Sequence, residues 1–538
     1  MATAADLLDG PVVAAPATLG AADAMRLARR RGADVLSAGP GRWILRADAA
    51  RAHALGLGAL PLRRLARPLP TVRARESEIV VRRHLAGGEL AVVVVRGRTP
   101  LGVVRRVPPP AVISMRARFE RWLDAESRSL LEVVGRLAAE HGAVAFVVGG
   151  VVRDAWLGRA PGGHDLDVVV EGDARLVARS LAAALGGALI EHERFLTASV
   201  ELPTGRRVDV VTARSERYEE PGALPRVMPA AIGEDLRRRD FTVNAMAVEL
   251  ASGAFGLLDP LGGAADAARR RLRILHPLSF VEDPTRIFRA ARYAARLGFT
   301  LDEWSVRCRA LALELGPYPV LSPARIAAEL ERILAEPGAG PALAALARAG
   351  VFRLLAPRYR TARAAVARLA DLPATLEWAR ARRGAPPRLE LLAAALAADQ
   401  PDAVATAVLR GLGLSGAPLA RVRGVLATAP PLRERLASAS RPSEAARVLR
   451  EAGPLAPAWL HLADDAATRG RLARIPPDEA ARPLLGGEAL LGLGVRRGPD
   501  VSTVLNALRD ARLDGEIHDR PGEIDYVKTW LSTRTKEG

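Results

Sequence analysis

Along the first 110 residues the spacing of apolar positions changes repeatedly, from the alternation of a strand to the three-to-four spacing of a helix. The stretch VVAAPATLGAADAMRLARRRGADVLSAGPGRWILRAD reads as an extended start, an amphipathic helix and two short strands. TVRARESEIVVRRHLAGGELAVVVVRGRTPLGVVRR repeats that order, which predicts two copies of one small α/β unit packed together. Pro108-Pro109-Pro110 closes the block. Proline stops helix and strand alike, so a linker is expected there, and a fragment beginning near Ser114 is expected to fold and act without the repeat.

The next periodic stretch predicts a helix over 114–141, followed by the strand AVAFVV. Strand-like runs recur at HDLDVVVEG, TASVEL and RRVDVVTAR, with a helix over 174–185 between them. This is the pattern of a mixed α/β domain ending near Asp259-Pro260. Beyond Ala264 the helical period dominates to the end of the chain. The predicted organisation is multidomain α/β plus α: a tandem repeat over 1–113, an α/β domain over 114–262, a helical neck over 263–358 and a helical body over 359–538.

Composition narrows the class. A chain of 538 residues exceeds one ordinary core, and 49% hydrophobic with 26% charged residues describes a soluble globular protein. Lys+Arg number 78 against 60 Asp+Glu, a net charge of +18, and only Lys528 and Lys536 are lysines. A GC-rich coding bias accounts for the choice of arginine. The excess itself favours a polyanionic partner. The lone Cys308 permits no internal disulfide and no cysteine-based metal cluster, which fits a reducing cytoplasm. No secretory leader pattern stands at the N-terminus, and runs such as 143–149 are far shorter than the ~20 residues of a membrane span. A soluble, cytoplasmic protein with no membrane partner is expected.

Candidate chemistry concentrates in FVVGGVVRDAWLGRAPGGHDLDVVVEGD, residues 146–173. Asp165 and Asp167 are two positions apart on a predicted strand and therefore share a face. Two carboxylates held there repel unless a cation lies between them, and hard oxygen ligands suit Mg²⁺. Gly149-Gly150 lets backbone amides approach a phosphate, and a helix starting near Val151 aims its positive end at the same place. Arg153 adds a charged fork for phosphate oxygens. Together these residues predict a metal-assisted nucleotidyl-transfer site, the triphosphate against the glycine turn and metal on the aspartates. An Asp-x-Asp alone is common on solvated strands and a Gly-Gly alone is usually a turn. The ordered set is far more specific.

GGVVRDAWLGRAPGGHDLDVVV resembles the signature of the class II tRNA nucleotidyltransferase/poly(A) polymerase family, within the polymerase-β-like nucleotidyltransferases. The resemblance continues through RVDVVTARSERY, EDLRRRDFTVNAMAVE, LLDPLGGAADAARRRLRIL and FVEDPTRIFRAARYAARLGF, and more weakly through SPARIAAELERILAEPGAGPALAALARAGVFRLLAP and GEALLGLGVRRGPDVSTVLNALRDARLDGEI. It implies that Asp165 and Asp167 bind metal, and that Asp209 activates the primer 3′-hydroxyl, unless Asp209 is only a sheet-edge aspartate. Gly149, Gly150, Arg153 and Arg239 match nucleotide contacts, while the neighbouring Arg237 and Arg238 are read as surface charge. In EDPTRIFRAAR, Asp283 and Arg286 lie one helical turn apart, as do Arg289 and Arg292. The family reads these residues as a base-selecting template; without that context they are a helix start and a solvated arginine face. A carboxylate accepts from an exocyclic amine and a guanidinium donates to the adjacent ring nitrogen, an edge shared by cytosine and adenine but not by guanine or uracil. CTP and/or ATP are the implied substrates and tRNA the implied partner.

The N-terminal repeat resembles a pair of CBS motifs, with Asp48 in the place of a ribose-binding acid and no acid at the matching place in the second copy. The resemblance implies a structural or dimerising role, hence a homodimer, or an adenine nucleotide bound at the pair. His518-Asp519 lacks upstream partner histidines, which argues against the phosphohydrolase domain that related enzymes carry. Few aromatics and many arginines in the helical body favour recognition of RNA shape through phosphates. The leading reading is an enzyme that adds C and/or A to tRNA 3′ ends. A poly(A) polymerase is the alternative within the fold, although the Gly-Arg-Arg-Phe-Arg run expected of bacterial members is replaced by EHERFLTASVELPTGRRVDV. A non-catalytic RNA-binding or nucleotide-sensing protein is the alternative outside it. The loop over 216–235 is where CC-adding, A-adding and full CCA-adding enzymes would differ.

Overall fold

The computed structural model describes residues 2–105, 113–159, 166–192, 197–250, 255–463 and 466–537. It divides into two compact units, Met1–Leu321 and Ser322–Gly538, and the division falls inside the 263–358 segment. The triple proline lies outside the described residues.

The first unit opens with the duplication expected from the hydrophobic pattern. Strand β1 (Val12–Ala14), helix α1 (Ala21–Arg30), β2 (Val35–Ser37) and β3 (Trp43–Leu45) form one copy, followed by α2 (Arg46–Ala54) and the short α3 (Leu62–Leu65). β4 (Thr71–Arg73), α4 (Glu78–Ala86), β5 (Val92–Arg96) and β6 (Thr99–Val104) form the second. In both copies the first strand runs parallel to the second and the second antiparallel to the third. Helix α1 forms because Ala21, Ala24 and Ala28 put small apolar groups on one buried face, while Arg29 and Arg30 complement its C-terminal dipole. Val35 and Trp43 from the first copy share a core with Val93, Val95 and Val103 from the second.

The catalytic-type sheet has eight strands: β7 (Ile113–Ser114), β8 (Val144–Val148), β9 (Leu166–Glu171), β10 (Ala188–His192), β11 (Thr197–Glu201), β12 (Arg207–Thr212), β15 (Ala247–Glu249) and β16 (Gly256–Leu258). β13 (Arg214–Arg217) and β14 (Arg226–Pro229) form a separate antiparallel hairpin. Their order is β10-β11-β12-β9-β8-β15-β16-β7, antiparallel throughout except for the β12/β9 pair. Strand alternation separates two cores. Leu166, Val168 and Val170 of β9 pack with α6 (Ala125–Glu140) and α8 (Ala174–Leu185), whereas Val169 turns to the opposite face with Ile232 and Leu236 of α9 (Ile232–Arg237). Asp167 shares the parity of Val169 and so belongs to that second face.

One expectation needs correction. The single helix over 114–141 is interrupted: α5 (Arg116–Trp122) ends before Asp124, whose Oδ1 accepts from the Ser127 N–H at 2.7 Å and starts α6. Ser114 belongs to β7. The N-terminal repeat also packs against the rest of its unit. Leu90 packs against the second core of the sheet, Arg67 donates to the Leu275 carbonyl at 3.1 Å, and the Trp304 indole donates to the Ala66 carbonyl at 3.2 Å. A Cβ at Gly88, whose φ is +82°, would fall 1.9 Å from the Gly262 nitrogen, so the two backbones touch where only glycine fits.

After the sheet come α10 (Gly263–Ala268), β17 (Arg271–Leu272), α11 (Ser279–Glu282), α12 (Thr285–Leu297), β18 (Thr300–Leu301) and α13 (Glu303–Leu315). The second unit is helical among its described residues, from α14 (Pro323–Leu334) to α25 (Arg520–Glu537). Leu485, Leu490, Val504, Leu508 and Val527 form a core near its end. No helix among the described residues is long and apolar enough to cross a membrane. Asp519 accepts from the Gly522 N–H at 2.8 Å, the role of a turn-former at the start of α25.

Candidate active site

Side-chain parity and strand register bring the acids together. β12 lies parallel to β9 with Asp209 directly opposite Asp167, and β11 adds Ser199 opposite Asp209. Neighbouring strands are about 4.8 Å apart, so both carboxylates fall within the span of one or two bound cations. Ser199 Oγ donates to Asp209 Oδ1 at 2.5 Å and Arg207 Nε donates to the same oxygen at 2.9 Å, bonds that use Oδ1 and leave Oδ2. β12 lies between β11 and β9, so Asp209 is not at the sheet edge. Asp165 lies outside the described residues. Among the described residues no group of three or more His, Cys, Asp or Glu could hold a metal. The pair Asp167/Asp209 is nonetheless a hard-oxygen donor set of the kind Mg²⁺ takes.

The glycine turn joins β8 to helix α7 (Gly150–Leu157). Gly149 sits at φ +70°, ψ −123°, a conformation that side-chain-bearing residues rarely adopt, and a Cβ there would be 3.2 Å from Nη1 of Arg239. A Cβ on Gly150 would be 3.6 Å from Nη2 of Arg153. Both predicted phosphate-binding arginines therefore lie against the predicted glycines. The structure also shows what aims them. Arg153 is buried; Nε and Nη2 donate to Asp154 at 2.8 and 2.9 Å, and Nη1 donates to Asn244 Oδ1 at 2.6 Å. Three of its five N–H donors are used in these bonds. Arg239 donates through Nε and Nη2 to Asp235 Oδ2 at 3.3 and 3.0 Å.

Behind this first row stands a polar network that the sequence did not single out. Asn244 donates to Asp240 Oδ1 at 3.0 Å, the Phe241 N–H donates to the same oxygen at 2.8 Å, and Arg289 Nε donates to Asp240 Oδ2 at 2.8 Å. Burial would raise the Asp240 pKa, but the Arg289 guanidinium and the Asn244 amide outweigh it and hold the group at about 2. Asp235 behaves alike: burial pushes it up, and Arg239 and Arg238 together bring it below the usual range. Arg238, read from sequence as surface charge, is a correction. Its side chain is only 17% exposed, and it donates to Asp235 at 2.7 Å and to Glu216 at 2.7 Å. Arg237 is exposed and pairs with Glu234, as surface charge should. The signal for the network was present in RRRDFTVNA, where an acid follows three arginines and an amide follows four residues later.

Helix α12 supplies the rest. Asp283 Oδ1 accepts from the Thr285 N–H at 3.0 Å and its hydroxyl at 2.6 Å, fixing the start of the helix. Arg286 is buried, donating to Ser279 Oγ and to the Arg238 carbonyl, each at 2.8 Å. Burial works against its charge, but Tyr218, Asp283 and Glu282 more than offset that and raise its pKa. The solvated-face alternative does not describe Arg286. Arg289 faces Asp240, and Arg292 lies with its Cζ 4.8 Å from the Tyr293 ring centre. Arg153 and Arg289 approach the same ring at 5.5 Å each, making Tyr293 the shared aromatic floor of three guanidinia.

Residues 145–273 match the poly A polymerase head domain. An A-adding tRNA nucleotidyltransferase of Geobacter sulfurreducens is 39% identical over 240 residues, 44% of this chain but only 27% of that protein's length. The chain thus spans about a quarter of that relative. A Thermotoga maritima CCA-adding enzyme complexed with tRNA superposes with a TM-score of 0.63 at 28% identity, covering 78% of this chain and 100% of that one. A CC-adding tRNA nucleotidyltransferase of Deinococcus radiodurans is 34% identical over 428 residues, 77% of this chain and 96% of that protein. Likeness that runs through nearly the whole of a relative, head domain and helical body together, makes this chain a member of the tRNA nucleotidyltransferase family.

Proposed function

We propose that the protein is a template-independent nucleotidyltransferase that adds C and/or A to the 3′ end of tRNA from CTP and/or ATP, releasing pyrophosphate, in the cytoplasm. The 3′-hydroxyl oxygen forms a bond to the α-phosphorus as the bond from that phosphorus to the bridging oxygen breaks. The observation that carries this reading is the in-register pair Asp167/Asp209 beside the glycine turn with its two arginines. Asp167, with Asp165, would hold Mg²⁺. When bound, the ion supplies charge neutralisation at the triphosphate and lowers the pKa of the attacking hydroxyl. Asp209, oriented by Ser199 and Arg207, takes the hydroxyl proton through Oδ2. Arg153 and Arg239 bind triphosphate oxygens against Gly149 and Gly150. Asp283 and Arg286 read the amine-plus-acceptor edge of cytosine or adenine, with Arg289 and Arg292 lining the same helix. The arginine-rich helical body holds tRNA through its phosphates. The N-terminal repeat acts as a CBS-like pair that joins two copies of the chain.

The relatives include both A-adding and CC-adding enzymes, so the decisive assay reads which acceptor is extended. Purified protein is incubated with tRNAs lacking CCA, lacking CA, or lacking only the terminal A, with each nucleoside triphosphate supplied separately. Incorporation confined to C and A on tRNA supports the proposal. A long A-tail on non-tRNA RNA would replace it with a poly(A) polymerase, the second reading favoured by the head-domain match. No incorporation on any acceptor would leave a non-catalytic protein.

A further inference from the structure

Strand register carries the row of site-facing positions past the acids to the edge of the sheet. Asp167 on β9 stands opposite Asp209 on β12, Asp209 opposite Ser199 on β11, and Ser199 opposite Ile190 on β10. Paired positions share a face, so Ile190 belongs to the face of the two acids, about 10 Å from Asp209 across two strand spacings. β10 is the last strand on that side. Its residues divide by parity: Leu189 packs against the core shared with α8, whereas Ala188, Ile190 and His192 are exposed. Ile190 itself is 50% exposed. A scattered apolar residue on a surface needs no explanation, but one in register with the proposed reacting groups does.

The direction of the reaction says what passes over it. The glycine turn proposed to hold the triphosphate follows β8, and β8 lies on the other side of β9 from β12. In phosphoryl transfer the attacking and leaving oxygens stand roughly in line through phosphorus. With pyrophosphate leaving on the β8 side and the α-phosphorus at the acids, the attacking 3′-hydroxyl enters from the side of β12, β11 and β10. The nucleotide that carries this hydroxyl therefore lies over Ser199 and Ile190. Charge on that part of the face is nearly balanced, with Arg207 against Asp209 and, opposite it on β11, Glu201. Such a surface is unsuited to a run of phosphates and suits the apolar flat side of a base. Ser199 is buried and donates to Asp209, so Ile190 is the side chain of this row left to support a ring.

We propose that Ile190, flanked by Ala188 and His192, is the platform on which the terminal base of the RNA acceptor rests while its 3′-hydroxyl is at Asp209. The proposal deepens the nucleotidyl-transfer reading and rests on it. Apolar support is indifferent to which base it carries, because every base has a flat face. It therefore serves an acceptor whose terminal nucleotide changes with each addition.

Extension of truncated tRNA is measured for the full-length wild type, Ile190→Asp, Ile190→Ser and Leu176→Asp, with melting temperature and mass in solution alongside. Leu176 is 43% exposed on α8, the helix against the opposite face of the sheet, and controls for an added surface acid. Both Ile190 variants are expected to lower kcat/KM for tRNA about five- to ten-fold while KM for the nucleoside triphosphate stays within about two-fold. Leu176→Asp is expected to match the wild type. Ile190→Ser adds no charge and carries the test if Ile190→Asp melts early. Irradiation of the wild type with tRNA ending in 4-thiouridine is expected to attach the terminal base to the peptide over 188–192. An active wild type with both Ile190 variants equal to it overturns the platform and leaves the transfer reading standing. Attachment only elsewhere, or an equal loss in Leu176→Asp, also overturns it. A dimer that Ile190→Asp dissolves without changing extension would make this strand edge a contact between copies instead. A wild type that extends no acceptor overturns the transfer reading itself, and the platform with it.

Discussion

Replacing Asp240 by Asn tests whether the buried network aims Arg153, the arginine proposed to bind triphosphate. The substitution keeps the side-chain shape and removes the charge. Wild-type Asp240 accepts from the Phe241 N–H, the Asn244 amide and Arg289. An asparagine can accept through only one oxygen, so its amide must face either Arg289 or the other donors, and one contact becomes repulsive. The depression of the Asp240 pKa from 3.8 to about 2 corresponds to roughly 2.5 kcal/mol at 1.36 kcal/mol per unit. Breaking a buried ion pair costs about 3–5 kcal/mol, a figure to be lowered here because the Arg289 side chain is 31% exposed. The two routes agree on a loss of roughly 2–3 kcal/mol near neutral pH.

The assay is urea unfolding of the wild-type and Asp240→Asn proteins across pH, with steady-state kinetics alongside. Because the native pKa is depressed, this stabilisation is complete above the unfolded value and fades as pH falls toward 2. By about pH 3 roughly half of the difference between the two proteins should be gone. In kinetics, Asn244 would no longer be fixed and Arg153 would lose its aim, removing one charge-assisted phosphate contact. That is worth roughly 10- to 100-fold in kcat/KM, carried mainly by KM for the nucleoside triphosphate. A variant with wild-type stability at pH 7 and an unchanged KM would refute the reasoning. A stability loss without a KM change would leave Asp240 as a purely structural residue.

Asp167→Ala, and likewise Asp165→Ala, should reduce incorporation to background while tRNA affinity in a filter-binding assay stays within about two-fold, since basic side chains supply that affinity. Asp283→Ala should relax discrimination of CTP and ATP against UTP and GTP, or depress correct incorporation; unchanged rate and selectivity in single-nucleotide assays would return Asp283 to helix capping alone. A fragment beginning at residue 114 should melt roughly 5–10 °C below the full chain by calorimetry, because Arg51, Arg67 and the Ala66 carbonyl leave with the removed part, at about 1 kcal/mol each. His276 is held neutral by burial, its pKa lowered to about 4. The unfolded chain therefore takes up that proton first, so stability should fall as pH drops from about 6.5 toward 4, and His276→Gln should flatten this slope.

Local periodicity made the regular elements legible, because each depends on its own residues. Helix α8 and strands β8, β9, β11 and β12 lie where alternation and helical spacing put them. The break at Asp124 was missed because apolar spacing continues across it, and the only sign is one acid three residues before a serine. Within the candidate site, the residues proposed to face substrate belong to contiguous motifs and could be read there. Gly149, Gly150 and Arg153 meet as the motif implied, and Asp209 comes into register with Asp167. Residues that hold those groups in place were less visible. Asp235, Asp240 and Asn244 act through partners 4 to 91 positions away, a distance that only the fold closes. Arg238 illustrates the difference: three consecutive arginines look alike in sequence, yet one is exposed and the other two are clamped by a single buried acid.

The N-terminal repeat shows why a domain boundary is harder to read than a domain. Duplication is an internal property, so each copy could be recognised from its own pattern. Detachability depends on what the copies touch. Arg51, Arg64 and Arg67 lie on short helices and turns that look like solvated charge, yet they reach Glu282, Glu314 and the Leu275 carbonyl, more than 200 residues on. Glu282 is the instructive case. It is buried, which would raise its pKa, but contact with His276 and the Arg51 guanidinium brings it below the usual carboxylate range. A buried carboxylate needs a paired cation, and Arg51 of the repeat supplies one at 2.6 Å. A module that only lengthened the chain would have no reason to place that cation one residue before Asp283. The contact thus ties the repeat to the segment proposed to select the base.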